Sequence, residues 1–158
     1  PARASHQLLG VSDRERIDVV ARVLAALGAE RALVVHGAGG VDELSLEPGN
    51  YAVWVERGRE PRVVSVEADA LGLPAAPIAA LEGGTPEANA GHVRAVLAGM
   101  PGARRDAAIL NAAAALWVAG AAGSLEEGAA LAREAIDSGA ATRVLERYVI
   151  LSQEIGAG

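Results

Sequence analysis

Residues 6–36 constrain the fold more than any other part of this 158-residue chain. The apolar run SHQLLGV (Ser5 to Val11) ends beside a glycine and reads as a buried strand, and RALVVHG (Arg31 to Gly37) reads as a second one. Between them Ile17, Val20, Ala21, Leu24 and Leu27 recur at helical spacing, while Arg14, Glu15, Asp18 and Arg22 take the opposite face. Ser12 and Glu15 have the spacing of a capping box, and Gly28 stands where a helix stops. A strand, helix and strand in so short a span join parallel strands by a right-handed crossover. The chain is therefore expected to be α/β.

The remainder must extend and cover that sheet. Two alternating runs, Tyr51 to Glu56 and Arg62 to Glu67, flank RGREP and predict an antiparallel hairpin. LGLPAAPIAALEGG reads as an irregular connection holding one short helical turn. Four helical patterns follow. Thr85 and Pro86 open the first. The second carries Ile109, Ala113, Leu116 and Trp117 along one side, which makes Trp117 a predicted core residue. Ser124 and Glu127 form a capping box for the third, which closes at Gly139, and the fourth aligns Val144, Tyr148, Leu151 and Ile155. Their alanines and glycines allow close helix approach, so a tight cluster of about four helices is expected. At this length one compact unit is expected over residues 1–158, with a sheet portion at 1–67 and a helical cluster at 68–158.

Composition removes several function classes. A formal charge of −6 argues against a nucleic-acid partner, since phosphate backbones are bound by clustered cations and only Arg104-Arg105 stand adjacent. There is no cysteine, which excludes disulfides, thiolate nucleophiles and thiolate metal sites and fits a reducing cytosol. The longest apolar runs contain Asn or Gly and are closely flanked by charge, unlike membrane spans. All fourteen basic residues are Arg, and Phe is absent, a bias of coding rather than of chemistry.

The segment VVHGAGGVDELS (Val34 to Ser45) carries the candidate site. It follows a parallel strand, and ligands of open α/β sheets bind outside the carboxyl ends of such strands. No Gly-Lys-Ser/Thr follows the glycines, so it is not a phosphate-binding P-loop. Asp42 stands where a dinucleotide fingerprint needs its third glycine. Adjacent Asp42 and Glu43 suit Mg²⁺, which takes few protein oxygens and shares its shell with water and substrate phosphates. The competing reading is that both merely cap a short helix and meet water.

HGAGGVDELS is similar to the His-Gly, Asp-Glu and Ser segment of the anthranilate phosphoribosyltransferases. PAR with HQLLGV, EGGTPEANA, RDAAILNAAAALWVAG and SLEEGAALAREAIDSGAA with LERYV resemble further pieces of that family in the same order. The resemblance implies the C-terminal part of a mixed, mainly parallel sheet domain followed by a helical cluster. It implies transfer of phosphoribosyl from phosphoribosyl pyrophosphate (PRPP) to anthranilate with release of pyrophosphate, in cytoplasmic tryptophan biosynthesis. It places Mg²⁺ on Asp42 and Glu43, where the metal would neutralise charge on the departing pyrophosphate. Many relatives carry Asp at the position of Gly39, so any role of that side chain is absent here. The family's GTGGD and KHGNR loops, the Arg that meets the anthranilate carboxylate and the helices of its homodimer interface precede an NPA motif. This chain begins at the Pro of that motif, and it is expected to be a fragment inactive by itself.

Two other readings share the architecture: a non-catalytic relative that binds a ligand or nucleic acid, and a relative of the pyrimidine nucleoside phosphorylases. The acidic balance weighs against nucleic acid as the ligand of the first, and the match at HGAGGVDELS against the second. Among other residues, His36 could touch a phosphate and His6 could approach substrate, but both are expected to be satisfied by local partners, and His92 is expected to lie at the surface. The three are too scattered for zinc. Ser5, Ser12, Ser45 and Ser124 lie in no nucleophile elbow. Asn89 and Asn111 read as hydrogen-bonding anchors in helix packing. Arg57, Arg59 and Arg62 alternate with Glu56 and Glu60 as a solvated strand edge.

Overall fold

The computed structural model describes residues 4–156. The PAR segment invoked above therefore lies outside the described residues. Four strands form one mixed sheet in the order β1 (His6–Gly10), β2 (Arg31–His36), β3 (Tyr51–Glu56), β4 (Arg62–Val64). β1 runs parallel to β2, with His6 opposite Arg31 and Gly10 opposite Val35. β3 is antiparallel to β2, His36 facing Tyr51, and β4 closes the predicted hairpin with Trp54 facing Arg62. Among the described residues β1 is an edge strand.

Helix α1 (Ile17–Ala26) makes the crossover from β1 to β2 and lies on one face of the sheet. Strand residues of alternate parity feed the two faces. Ala32, Val34, Val53 and Val55 pack on Ile17, Ala21 and Leu24 of α1. Leu33, Val35, Ala52 and Trp54 instead meet α3 (Ala103–Ala119) and α4 (Leu125–Asp137) through Ile109, Leu110, Ala113 and Ala129. The β2 pattern of four consecutive buried residues follows from this two-sided burial. α2 (Pro86–Leu97) packs on α3, and α5 (Ala140–Gly156) packs on α4 and α2. Among the described residues no helix is long and apolar enough to cross a membrane.

Thr85 and Ser124 cap α2 and α4 as expected, each accepting a backbone N–H from the third residue onward. The acidic arm of the Ser124 box differs: Glu127 Oε2 accepts the N–H of Gly123, one residue beyond the cap. Ahead of α1 the capping side chain is Asp13 instead of Ser12, and it caps a 3-10 turn that leads into the helix. The Asp13 carboxylate accepts Glu15 N–H at 3.1 Å and Arg16 Nε at 2.8 Å, and the helix enters through a 3-10 turn over Arg14–Arg16. A charged acceptor with two such partners outcompetes a hydroxyl one residue earlier. Leu27 is also corrected from an apolar-face residue to an exposed one, since the helix ends before it. The loop before α2 holds two 3-10 turns, Asp69–Leu71 and Ile78–Leu81, in place of the single turn expected.

The α3–α4 contact is as close as the small residues suggest: a Cβ on Gly128 would stand 2.6 Å from the Ala113 carbonyl oxygen. The α5 stripe is a correction. Val144, Tyr148, Leu151 and Ile155 are 63%, 66%, 54% and 71% exposed and do not pack into the cluster. α5 rests on its neighbours through its other face, where Leu145 is half-buried and Thr142 donates its hydroxyl to the Leu97 carbonyl at 3.0 Å. Trp117 is half-buried and stacks on buried Trp54 of β3, ring centroids 4.2 Å apart and planes at 28°.

Candidate functional site

The loop from Gly37 to Asn50 leaves the carboxyl end of β2 beside the end of β1. Its first turn is closed by Gly40 N–H on the Gly37 carbonyl at 3.1 Å and by a bridge from Gly37 to Val41. Gly39 and Gly40 have φ of +87° and +83°, a region that strains any side chain bearing a Cβ. The turn then folds Asp42 and Glu43 back over the strand ends. A Cβ on Gly10 would fall onto the Asp42 carbonyl, and one on Gly37 would meet the Glu43 carbonyl. Glycine thus stands at the end of β1 and directly after β2 because the backbone of the acidic pair occupies the space above them.

Asp42 and Glu43 are both exposed, and no helix begins at them, so the helix-cap reading does not describe this loop. Glu43 is held above the ordinary carboxylate value, first by partial desolvation and then by the negative charge of Asp42. Two mutually repelling carboxylates aimed outward accept a hard cation readily, since the cation cancels that repulsion. Among the described residues no group of three or more His, Asp or Glu has a metal-holding arrangement. A cation held by the pair would meet two hard oxygen donors, with its remaining positions open. This suits Mg²⁺ with its retained waters and substrate oxygens, and neither a closed Ca²⁺ cage nor a zinc site. Glu43 also borders a cleft of about 540 Å³, with Ile78, Leu81, Glu82, Ala108 and Asn111 on its walls.

Three asparagines secure the surrounding backbone. Asn111 of α3 accepts the Leu44 N–H at 3.0 Å and donates to the Leu44 carbonyl at 2.9 Å. Asn50 does the same to Ser45, at 2.8 and 2.9 Å, and also donates to the Val66 carbonyl. Asn89 holds Gly84 in the same way at 2.8 and 3.2 Å. Asn89 and Asn111 are thus loop anchors, and only Asn111 joins a helix to a distant segment. Sequence reasoning missed Asn50, Glu47 and Gly10. Glu47 accepts the Ile78 N–H at 2.8 Å and ties the 3-10 turn over Ile78–Leu81 to the loop. An Asn immediately before a strand, as in EPGNYAV, is the one signal that marks Asn50, because Asn bonds readily to local backbone.

The remaining candidates stay apart from the pair. His36 Nδ1 is hydrogen-bonded to the Val11 carbonyl at 2.9 Å, and His6 Nδ1 shares a 2.9 Å contact with the Ser5 hydroxyl. His92 is half-buried and borders a small cavity of about 120 Å³ beside the start of α3, instead of lying free at the surface. Ser45 is buried, and its hydroxyl accepts the Glu47 N–H. Arg57 donates to the Gly28 carbonyl, Arg59 pairs with Glu56, and Arg62 is exposed.

Residues 1–142 match the model of a glycosyl transferase family, a/b domain. The chain belongs to that family. Within this glycosyl transferase family it is 53% identical over 157 residues to the anthranilate phosphoribosyltransferase of Thermomicrobium roseum, covering 98% of this chain and 45% of the relative. It is 50% identical to that of Roseiflexus castenholzii, covering 96% and 45%. Among solved structures it is similar to the anthranilate phosphoribosyltransferase of Thermus thermophilus, with 43% identity and a TM-score of 0.76 over 89% of this chain and 41% of that one. At 25% identity and a TM-score of 0.77 it is similar to the Saccharomyces cerevisiae enzyme solved in complex with PRPP and Mg, with coverage of 89% and 41%. The chain spans about 45% of the length of these curated relatives.

Proposed function

We propose that this chain is the C-terminal portion of an anthranilate phosphoribosyltransferase. Its Asp42 and Glu43 hold Mg²⁺ while phosphoribosyl passes from PRPP to anthranilate and pyrophosphate leaves. The observation that carries the reading is the outward acidic pair at the carboxyl end of a parallel strand pair, in a chain 53% identical to a relative of that name. Tryptophan biosynthesis, a cytoplasmic location and a homodimer formed outside the span of this chain belong to the same reading.

The chain's own residues have a defined share of the work. Asp42 and Glu43 supply two oxygen ligands on a loop fixed by glycine turns and asparagine bonds, so the charge that meets the leaving group is held in place before substrate arrives. Mg²⁺, when bound there, neutralises negative charge on pyrophosphate as its bond to ribose breaks. The open side of the pair leaves space for phosphate oxygens. Holding ribose and acceptor requires groups beyond these, so the 158 residues alone are expected to be inactive.

A chimera tests this. Residues 1–158 replace the corresponding part of the T. roseum relative, and loss of anthranilate fluorescence is followed with PRPP and Mg²⁺. Turnover is expected in the chimera, absent from the 158-residue chain, and abolished by Asp42→Asn with Glu43→Gln. A folded chimera without turnover, or one whose Mg²⁺ dependence survives that double substitution, refutes the assignment.

A further inference from the structure

We propose that Asn111 is a positioning residue for the Asp42–Glu43 pair: assisted by Asn50, it sets the direction in which the carboxylates present themselves to the cation. This rests on the metal reading of the pair given above. The loop carrying the pair has no regular structure beyond its first turn, yet Leu44, Ser45 and Leu46 are buried. Buried backbone must find partners, and here they are side chains. Asn111 engages both the N–H and the C=O of Leu44, the residue bonded to Glu43. Asn50 engages both groups of Ser45. Each amide thus takes the part of a neighbouring strand, and two consecutive residues have their backbone dihedrals fixed directly after the acidic pair.

Asn111 is itself held. Its Nδ2 also donates to the Ala107 carbonyl one turn back at 3.0 Å, which fixes its rotamer. Its helix is locked to α4 by the backbone contact of Ala113 with Gly128. A continuous path of hydrogen bonds and backbone packing therefore runs from α4 through α3 to Leu44 and Glu43. Apolar burial of Leu44 and Leu46 would anchor the loop without orienting it, because a leucine in a core tolerates rotation that a two-bond amide contact does not.

The test uses Mn²⁺ as the probe, its binding to the 158-residue chain read from loss of the free-ion electron paramagnetic resonance signal, with amide hydrogen exchange at Leu44 as a second measurement. In Asn111→Ala the Mn²⁺ midpoint is expected to weaken by about tenfold, the usual scale for residues that orient metal ligands. Leu44 N–H exchange should accelerate in the absence of metal. The near-ultraviolet signal of the Trp54–Trp117 stack reports whether α3 remains docked. If Asn111→Ala loses that signal, Asn111→Gln, which keeps the amide but displaces it by one methylene, replaces it in the same comparison. A docked variant with an unchanged midpoint overturns the proposal, even if its thermal stability falls, because a purely structural anchor behaves in that way. Asp42→Asn with Glu43→Gln separates the two ideas. If Mn²⁺ binds that variant as it binds the native chain, the metal reading fails and the positioning role fails with it. If only the acidic substitutions change the midpoint, the metal reading stands and the Asn111 role alone is wrong.

Discussion

Glycine to alanine substitutions in two helices should have opposite signs. Gly128 lies inside α4 and Gly91 inside α2, and on propensity alone each would gain about 0.5–1 kcal/mol on becoming alanine. Around Gly91 no atom beyond its chain neighbours and its own helix backbone lies within 4 Å of an added Cβ, so the gain should appear in full. At Gly128 the Cβ would stand 2.6 Å from the Ala113 oxygen, 3.0 Å from its Cα and 3.1 Å from its carbonyl carbon. All three are backbone atoms, so no rotamer change relieves the clash and α3 must move away from α4. Ile109, Ala113, Ala129 and Ala132 share that contact, and overpacking of this kind costs about 1–3 kcal/mol. Set against the propensity gain, Gly128→Ala is expected to be destabilising by about 1–2 kcal/mol. For a domain of this size about 1 kcal/mol shifts Tm by roughly 2–4 °C. Thermal unfolding followed by far-ultraviolet circular dichroism should thus show Gly91→Ala melting above the native chain and Gly128→Ala several degrees below it. Equal rises for the two would refute the close approach of α3 and α4.

Trp117→Ala should cost about 2–3 kcal/mol, less than for a fully buried tryptophan because the ring is half-exposed, and should abolish the near-ultraviolet signal of the pair. Gly10→Ala should destroy Mn²⁺ binding by lifting the Asp42 backbone off the strand ends, while Gly58→Ala in the hairpin turn, far from the pair in sequence and strained by its φ of +76°, should lower Tm and leave the metal midpoint unchanged. Glu87 and Glu126 are held below the ordinary carboxylate value of 4.5, Glu87 chiefly by its backbone N–H and Glu126 chiefly by the Ser124 hydroxyl. Their contribution to stability is therefore present above 4.5 and lost as pH falls through the lowered values. The Tm deficit of Glu87→Gln/Glu126→Gln should be largest near neutrality and should close under acid; a deficit constant with pH would refute the lowered values.

The order of elements was legible because each rests on a short-range signal. The alternation of Tyr51 to Glu56, the four buried residues of β2 and the Thr85 and Ser124 caps all depend on residues a few positions apart. Errors fell where two local signals competed or where only distant packing decides. Ser12 and Asp13 are both good caps, and the choice went to the carboxylate that also reaches Arg16. The α5 stripe has the periodicity of a packed helix, and periodicity says which residues share a face without saying whether anything covers it. Here Val144, Tyr148 and Ile155 share an exposed face.

The acidic pair stood out in the sequence because adjacent carboxylates after a glycine turn are chemically conspicuous. Its support was less legible: Gly10 and Asn50 do not stand out in their own segments, and Asn111, readable as a hydrogen-bonding anchor, gives no sign there that it anchors the loop of Asp42 and Glu43. Gly10 is the clearest instance. In sequence it is a glycine at a strand end, a position many residues fill, and only the path of Asp42 across it reveals that a single methyl group there would collide with the loop. The same is true of Asn111, whose contact with Leu44 spans 67 positions. Candidate ligands can be read from local chemistry, whereas the residues proposed to orient them are placed by tertiary contact. Substitutions at Gly10 and Asn111 should therefore change metal binding without removing a single ligand atom, and that separates placement of the carboxylates from their mere presence.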